Sequence, residues 1–161
     1  PESKQFLAHF YKGLGDGYGV KSLYARHLSD DSYRKITPES EDLTYEDILL
    51  CPELSKIFVN VFIVDRDGGK CRGYNWHSIQ IMDTDTGEVS EVLNQSDLSF
   101  AEPYVSARIT ELRAVKQDGR ELVCTIAFER KANGSGPKVD NYICKLSVTD
   151  RSIKKVTRLR S

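Results

Sequence analysis

No apolar run in this chain approaches the ~20 residues that carry a helix across a bilayer. No long segment shows the 3.6-residue apolar period of an amphipathic helix either, which argues against α/β architectures. Charge of one sign is not in excess: 23 Lys and Arg stand against 24 Asp and Glu, a net charge of -1. Nucleic acid and anionic membrane, which need a basic surface, are therefore not expected as partners. None of the four cysteines (Cys51, Cys71, Cys124, Cys144) forms a C-x-x-C pair, so a zinc site has no support. There is no G-x-S-x-G, H-E-x-x-H or Walker sequence. His9, His27 and His77 fall at different points of the chain's repeat, and the sequence alone brings none of them beside a nucleophile or a metal. No catalytic residue, metal ligand or cofactor is named on these grounds. The glycines of Gly13-Leu-Gly-Asp-Gly-Tyr-Gly precede a strand, not a helix, and so offer no helix N-terminus for phosphate. The N-terminus carries no secretory leader pattern and no initiator Met, which leaves the compartment open.

What is present is a repeat. Apolar content is 39% in 161 residues, enough for a real core. Lys21-Ser-Leu-Tyr-Ala-Arg-His-Leu, His77-Ser-Ile-Gln-Ile-Met-Asp and Asn141-Tyr-Ile-Cys-Lys-Leu-Ser-Val are each followed by a polar turn and a second alternating stretch. A further strand precedes each: Gln5-Phe-Leu-Ala-His-Phe-Tyr, Lys56-Ile-Phe-Val-Asn-Val-Phe-Ile-Val and Glu121-Leu-Val-Cys-Thr-Ile-Ala-Phe. Tyr45-Glu-Asp-Ile-Leu-Leu and Tyr104-Val-Ser-Ala-Arg-Ile-Thr-Glu-Leu add a fourth to the second and third units. The unit is four strands in meander order, A to D, and the first unit lacks A. The expected divisions are 1–37, 44–93 and 104–160. Four-stranded meanders recurring at about 40–60 residues are the signature of β-propeller blades. The expected class is all-β, with about three blades, the first incomplete. A single β-sandwich or barrel of about eleven strands is the alternative. Because residues 1–4 read as an A–B turn, the chain is expected to be a piece of a larger propeller. The missing blades would come from the same longer chain, a companion chain or self-assembly, since an arc of three leaves edges and faces bare.

The A–B turn Cys51-Pro-Glu-Leu-Ser-Lys, the turn Val115-Lys-Gln-Asp-Gly-Arg and the stretch Ile79-Gln-Ile-Met-Asp-Thr-Asp-Thr-Gly-Glu-Val carry a resemblance. They resemble the WD40-like repeat of TolB-type propellers, which also occurs in the propeller domains of prolyl-oligopeptidase-type peptidases. The usual A–B turn of that repeat reads Ser-Pro-Asp-Gly. Pro52, Glu53 and Lys56 keep part of it; Asp118, Gly119 and Arg120 keep another part but lose the proline. The resemblance spans nearly the whole chain. It implies a propeller fold and favours a periplasmic or secreted location. It does not name a function, because function lives in sites grafted on folds.

In a meander, the B–C loops and D–A connections share one end of the strands. Here both read as long: 12–19, 66–76 and 131–140 for B–C, and 38–44 and 94–103 for D–A. Long loops on a rigid scaffold are where binding residues concentrate. Glu39, Glu41, Asp42, Glu46 and Asp47 crowd the first D–A connection, and Asp97 and Glu102 the second. They are expected to ring a channel mouth and to favour a cation or a basic peptide. Arg66 and Arg72 lie in the outer loops. Tyr74, Trp76 and His77 close the most distinctive cluster, and the only tryptophan there is a candidate interface anchor or a blade-packing residue. Cys124 and Cys144 flank the Gly-rich turn at similar distances. They are read as two small buried side chains, or as a disulfide across the hairpin. The functional expectation is a non-enzymatic segment that binds protein or peptide through the loop-rich face. The alternatives are the access-restricting propeller portion of a larger hydrolase, and a carbohydrate-active propeller enzyme.

Overall fold

A computed structural model describes residues 5–15, 17–27, 31–38, 40–98, 100, 102–131 and 136–159, with side chains from residue 10 onward except at 15 and 27. The expected turn at 1–4, Glu39 and the side chains of His9 and His27 lie outside what is described. The strands are β1 (Gln5–Gly15), β2 (Tyr18–His27), β3 (Tyr33–Lys35), β4 (Leu43–Cys51), β5 (Lys56–Asp67), β6 (Lys70–Asp83), β7 (Val89–Asn94), β8 (Tyr104–Val115), β9 (Glu121–Arg130), β10 (Lys138–Ser147) and β11 (Ile153–Arg158). They form three antiparallel sheets in meander order: β1-β2-β3, β4-β5-β6-β7 and β8-β9-β10-β11. The expected all-β class holds. The first sheet has three strands and the others four. Each sheet has two ends and none closes into a barrel, so the barrel alternative falls.

Two compact units divide the chain. The first comprises Pro1–Glu46 and Val61–Asn75, the second Asp47–Asn60 and Trp76–Ser161. In the first, period-two alternation buries Leu23 and Ala25 on one face of β2, while Val20 packs with Val64 and Cys71. Tyr45 is also buried there, and burial pushes its hydroxyl above the usual tyrosine range. In the second, β9 is the most buried strand: Leu122, Cys124, Ile126 and Phe128 fill one face, and Thr125 and Ala127 are covered on the other. Both faces of β9 are therefore covered, where an antiparallel sheet commonly leaves one face in water. β11, at the sheet edge, is exposed nearly throughout and carries Lys154, Lys155 and Arg158, charges that blunt an open edge.

The turns bear out part of the sequence reading and correct part of it. The A–B and C–D connections are short and chemically defined. Asp83 accepts the N–H groups of Asp85 and Thr86 at 2.9 and 2.8 Å, and Gly87 takes φ +77°. Gly119 turns at φ +66°, where a Cβ would stand 2.7 Å from Leu54 Cδ1. Two of the three B–C loops, however, are not long. β1 runs to Gly15 and β2 starts at Tyr18; β5 runs to Asp67 and β6 starts at Lys70. Gly68 and Gly69 both have positive φ, +57° and +83°, as a two-residue hairpin with type I′ twist needs. Glycine and charge made 66–76 read as a loop, but buried Cys71 and Trp76 draw that stretch into β6. Only the third B–C connection, 131–137, is long. The elaboration expected at one end of the strands is thus smaller than the sequence suggested.

Candidate functional site

Of the described carboxylates expected to ring a channel mouth, Glu41, Asp42, Glu46 and Asp97 meet cations. In the first unit, Glu41 takes the Lys12 ammonium at 2.6 Å, which holds the Glu41 carboxyl below its usual range. Asp42 accepts Arg66 Nε at 3.0 Å, and Arg66 Nη2 reaches the Glu41 carbonyl at 3.2 Å. Glu46 takes Lys21 at 2.5 Å. Such surface pairs are each worth only ~0–1 kcal/mol, but together they cancel the expected acidic field. The bases come from β1, β2 and β5, which no local pattern places beside the 40–46 connection. Tyr74 lies in β6, where its hydroxyl both accepts from Gly19 N–H at 2.8 Å and donates to Gly19 O at 2.6 Å. Its ring meets Tyr18 edge-on at 5.7 Å. Arg72 pairs with Asp67, and its carbonyl accepts Tyr18 OH at 3.0 Å.

In the second unit, Asp47 and Trp76 are brought together through Asn60, which is fully buried. Asn60 Nδ2 donates to Asp47 Oδ2 at 3.0 Å, and Trp76 Nε1 donates to Asn60 Oδ1 at 2.9 Å. Asp47 Oδ2 also accepts the Leu112 N–H at 3.0 Å, which ties β4 to β8. Of the two roles weighed for Trp76, this geometry fits blade packing. Its ring is 3% exposed, so it offers no surface to a partner. His77 has a buried Nδ1 without a hydrogen-bond partner. Asp97 caps the turn Gln95–Asp97 by accepting Asn94 N–H at 2.9 Å, and it pairs with Arg151 at 2.8 Å. Those two contacts, the backbone one first, lower its carboxyl pKa. Glu102 is exposed.

Cys124 and Cys144 do stand opposite one another in the β9–β10 register. They are free thiols, not a disulfide. Each sulfur lies against backbone instead: Cys124 Sγ is 3.9 Å from Cys144 O, and Cys144 Sγ 3.8 Å from Tyr142 O. Burial pushes the two thiols up to about 12 and about 11. Neither supplies a thiolate nucleophile near neutral pH.

Two clusters escaped the sequence reading. Strand alternation puts Phe10, Tyr24 and Tyr33 on one face of the first sheet, opposite Leu23 and Ala25. Phe10 lies 4.5 Å from Tyr24 and 5.8 Å from Tyr33, both edge-on, and Arg26 stands 5.6 Å over Tyr33. Phe10 and Tyr33 are 47% and 51% exposed. A groove of about 260 Å³ runs along Phe10 and Tyr24, lined also by Tyr11, Lys12, Lys35 and Glu41. The second cluster ends the third sheet. Asp140 is buried and is held by Arg130 (Nη2 to Oδ1, 3.0 Å), by Arg158 and by Tyr104 OH at 3.4 Å. Burial alone would raise the Asp140 carboxyl, but Arg158 and Arg130 outweigh it and hold it low. Tyr104 and Tyr142 share a 3.3 Å hydroxyl contact, which with burial pushes Tyr104 up to about 12. A chain of rings, Tyr104–Phe128–Tyr142, lies beneath Lys155. The signal that could have found both clusters is aromatic recurrence on one strand face, visible only once register is known.

No protein-family model matches this chain, and no curated protein matches it. Among solved structures it is similar to TolB from Acinetobacter baumannii, at 14% identity and a TM-score of 0.26, over 94% of this chain and 41% of that one. The chain thus spans about two fifths of the TolB chain. It is also similar to the YpeB C-terminal domain of Bacillus megaterium, at 11% identity and a TM-score of 0.22, over 99% of this chain and 92% of that one. At such scores neither likeness carries an argument about function, and the site must be judged on its own residues.

The described carboxylates named here are mostly neutralised in pairs, and two of the thiols are buried and protonated. Among the described residues no group of three or more His, Cys, Asp or Glu is placed to hold a metal ion, and no helix is long and apolar enough to cross a membrane. Phe10, Tyr11, Tyr33, Tyr74 and Phe100 are aromatic side chains that face outward.

Proposed function

We propose that this chain is a non-enzymatic β-propeller segment that binds a protein, and that it does so through the aromatic strip of the first sheet, not through long loops. The observation that supports the reading is the edge-on chain Tyr24–Phe10–Tyr33, with Phe10 and Tyr33 half exposed on a face whose opposite side is core. Exposed aromatics that are already held in place bury large area at low entropic cost, as interface anchors do. The groove beside them is about 260 Å³. That is below the ~300–1,000 Å³ of small-molecule pockets and suits an inserted side chain. Lys12, in its lining, is paired with Glu41. The occupant is a peptide segment presenting apolar side chains. The repeated meander supports the propeller part of the reading, and any further blades belong to this proposal too.

The test is selection of displayed random peptides on the full chain, followed by amide shift mapping. The expected result is an apolar consensus that shifts the amides of Phe10, Tyr24 and Tyr33. Its affinity should fall at least ~10-fold, or ~1.4 kcal/mol, in the double variant Phe10→Ala/Tyr33→Ala. No enrichment, or undiminished binding by that variant, would overturn the proposal. Both substitutions are at exposed positions, so folding is not the variable tested.

A further inference from the structure

The third sheet carries a groove whose walls combine uncancelled positive charge with flat apolar surface. Its volume is about 570 Å³, and it is lined by Phe100, Phe128, Arg151, Ser152, Lys154 and Lys155, along with Ile153. No carboxylate lines it. Arg151 spends its charge on Asp97. Lys154 and Lys155 make no ion pair among the described residues. Lys155 is fixed in another way. Its ammonium stands 4.3 Å over Tyr104, 4.1 Å over Phe128 and 4.8 Å over Tyr142.

A bulge aims it there. In the β10–β11 register Tyr142 faces Arg158 and Ile143 faces Thr157, but Cys144 faces Lys155, so Val156 is an extra residue. One extra residue exchanges the faces of everything beyond it. Arg158 and Lys155, three apart, thereby share a face: one guanidinium secures Asp140, and one ammonium lands on the rings. The distinction between these two fixings matters. A carboxylate partner holds a cation and cancels it. An aromatic face holds a cation by its quadrupole and leaves the net charge standing. Lys155 is therefore positioned in advance without being neutralised, which lowers the ordering cost of meeting an anion.

We infer that this groove binds an acidic ligand with a flat apolar body: a phosphate or carboxylate group on the Lys155 ammonium, with its ring or similar plane against the exposed Phe100. The volume lies within the ~300–1,000 Å³ typical of small-molecule sites. The inference stands on residues other than the aromatic strip of the first sheet and does not rest on the peptide-binding reading.

Phenyl phosphate and benzoate are the probes, titrated into the full chain with amide shifts as readout. Saturable shifts at Ser152, Ile153, Lys154 and Lys155 are expected for at least one probe, and the tighter of the two identifies the acid group. Raising the salt should weaken binding, because the attraction is between exposed charges. Lys155→Met, which keeps a long apolar stem on the rings, should weaken it at least ~10-fold. Lys155→Arg, which keeps the charge over the rings, should retain it. The inference is overturned if neither probe gives saturable shifts at these amides, or if the charge-removing variant binds as the parent does.

Discussion

Replacing Asn60 by Leu tests how the second unit is held. Leu repeats the branched heavy-atom skeleton of Asn with two bulkier methyl groups, so the change deletes hydrogen bonds without opening a cavity. Asn60 is fully buried and uses both ends of its amide, one toward Asp47 Oδ2 and one from Trp76 Nε1. The variant leaves the buried indole N–H without an acceptor, a cost of ~1–3 kcal/mol. It also removes one of two donors from Asp47, which keeps the Leu112 N–H; a bond to a charged group contributes ~1.5–3 kcal/mol. Greater apolarity at the site offsets ~1 kcal/mol. The expected net loss is about 2–4 kcal/mol. Trp76→Phe alone orphans the Asn60 oxygen, whereas the double variant removes donor and acceptor together. The two changes should therefore be coupled by ~1–2 kcal/mol. Urea unfolding measures this through the midpoint at constant m-value. Trp76, the only tryptophan, reports the second unit by fluorescence, and circular dichroism serves where it is replaced. A loss under ~0.5 kcal/mol for Asn60→Leu, or strictly additive single variants, would refute the network as a source of stability.

Two further predictions concern titration. Hydrogen bonds from Ser147 and Ser152 hold the Asp150 carboxyl down at about 2. Its folded value lies below the ordinary aspartate value of ~3.9, so its contribution to stability is present above pH ~4 and is lost as pH falls toward 2. Carboxyl shifts in an acid titration should place the midpoint near 2, and Asp150→Asn should flatten that limb of the stability curve; a midpoint near 3.9 contradicts the turn geometry. Cys124 and Cys144, buried and with raised pKa values, should resist thiol reagents at pH 8 until the chain unfolds, and mass spectrometry without reductant should find no bridge between them. Rapid native labelling, or a mass lower by two hydrogens, would show the pair to be accessible or oxidised.

The fold was legible because its signals are local. Apolar alternation placed all eleven strands, and the Asp-Thr-Gly and Asp-Gly turns placed the hairpins between them. Loop length was misread at Arg66–Trp76 for an equally local reason: glycine and charge are turn composition, and Gly68-Gly69 is indeed the turn, but the residues on either side continue the strands. The candidate site was less legible. Glu41, Asp42 and Glu46 were read as an open acidic group because each was seen with its sequence neighbours. Their cations sit 25 or 29 residues away for Lys21 and Lys12, and 24 for Arg66. Such distances along the chain carry no periodic signal.

By itself the sequence determined strand number and meander order, since each follows from period-two alternation and turn chemistry within a few residues. Tertiary structure alone decided which charges are cancelled and which remain. It paired the expected acidic mouth away, locked Asp47 and Trp76 onto a buried asparagine, and set Lys155 on three rings from three different strands. The physical reason is register. Side chains alternate faces at every residue, so a single bulge at Val156 decides which surface receives an ammonium, and only the pairing of strands distant in sequence fixes where that bulge falls.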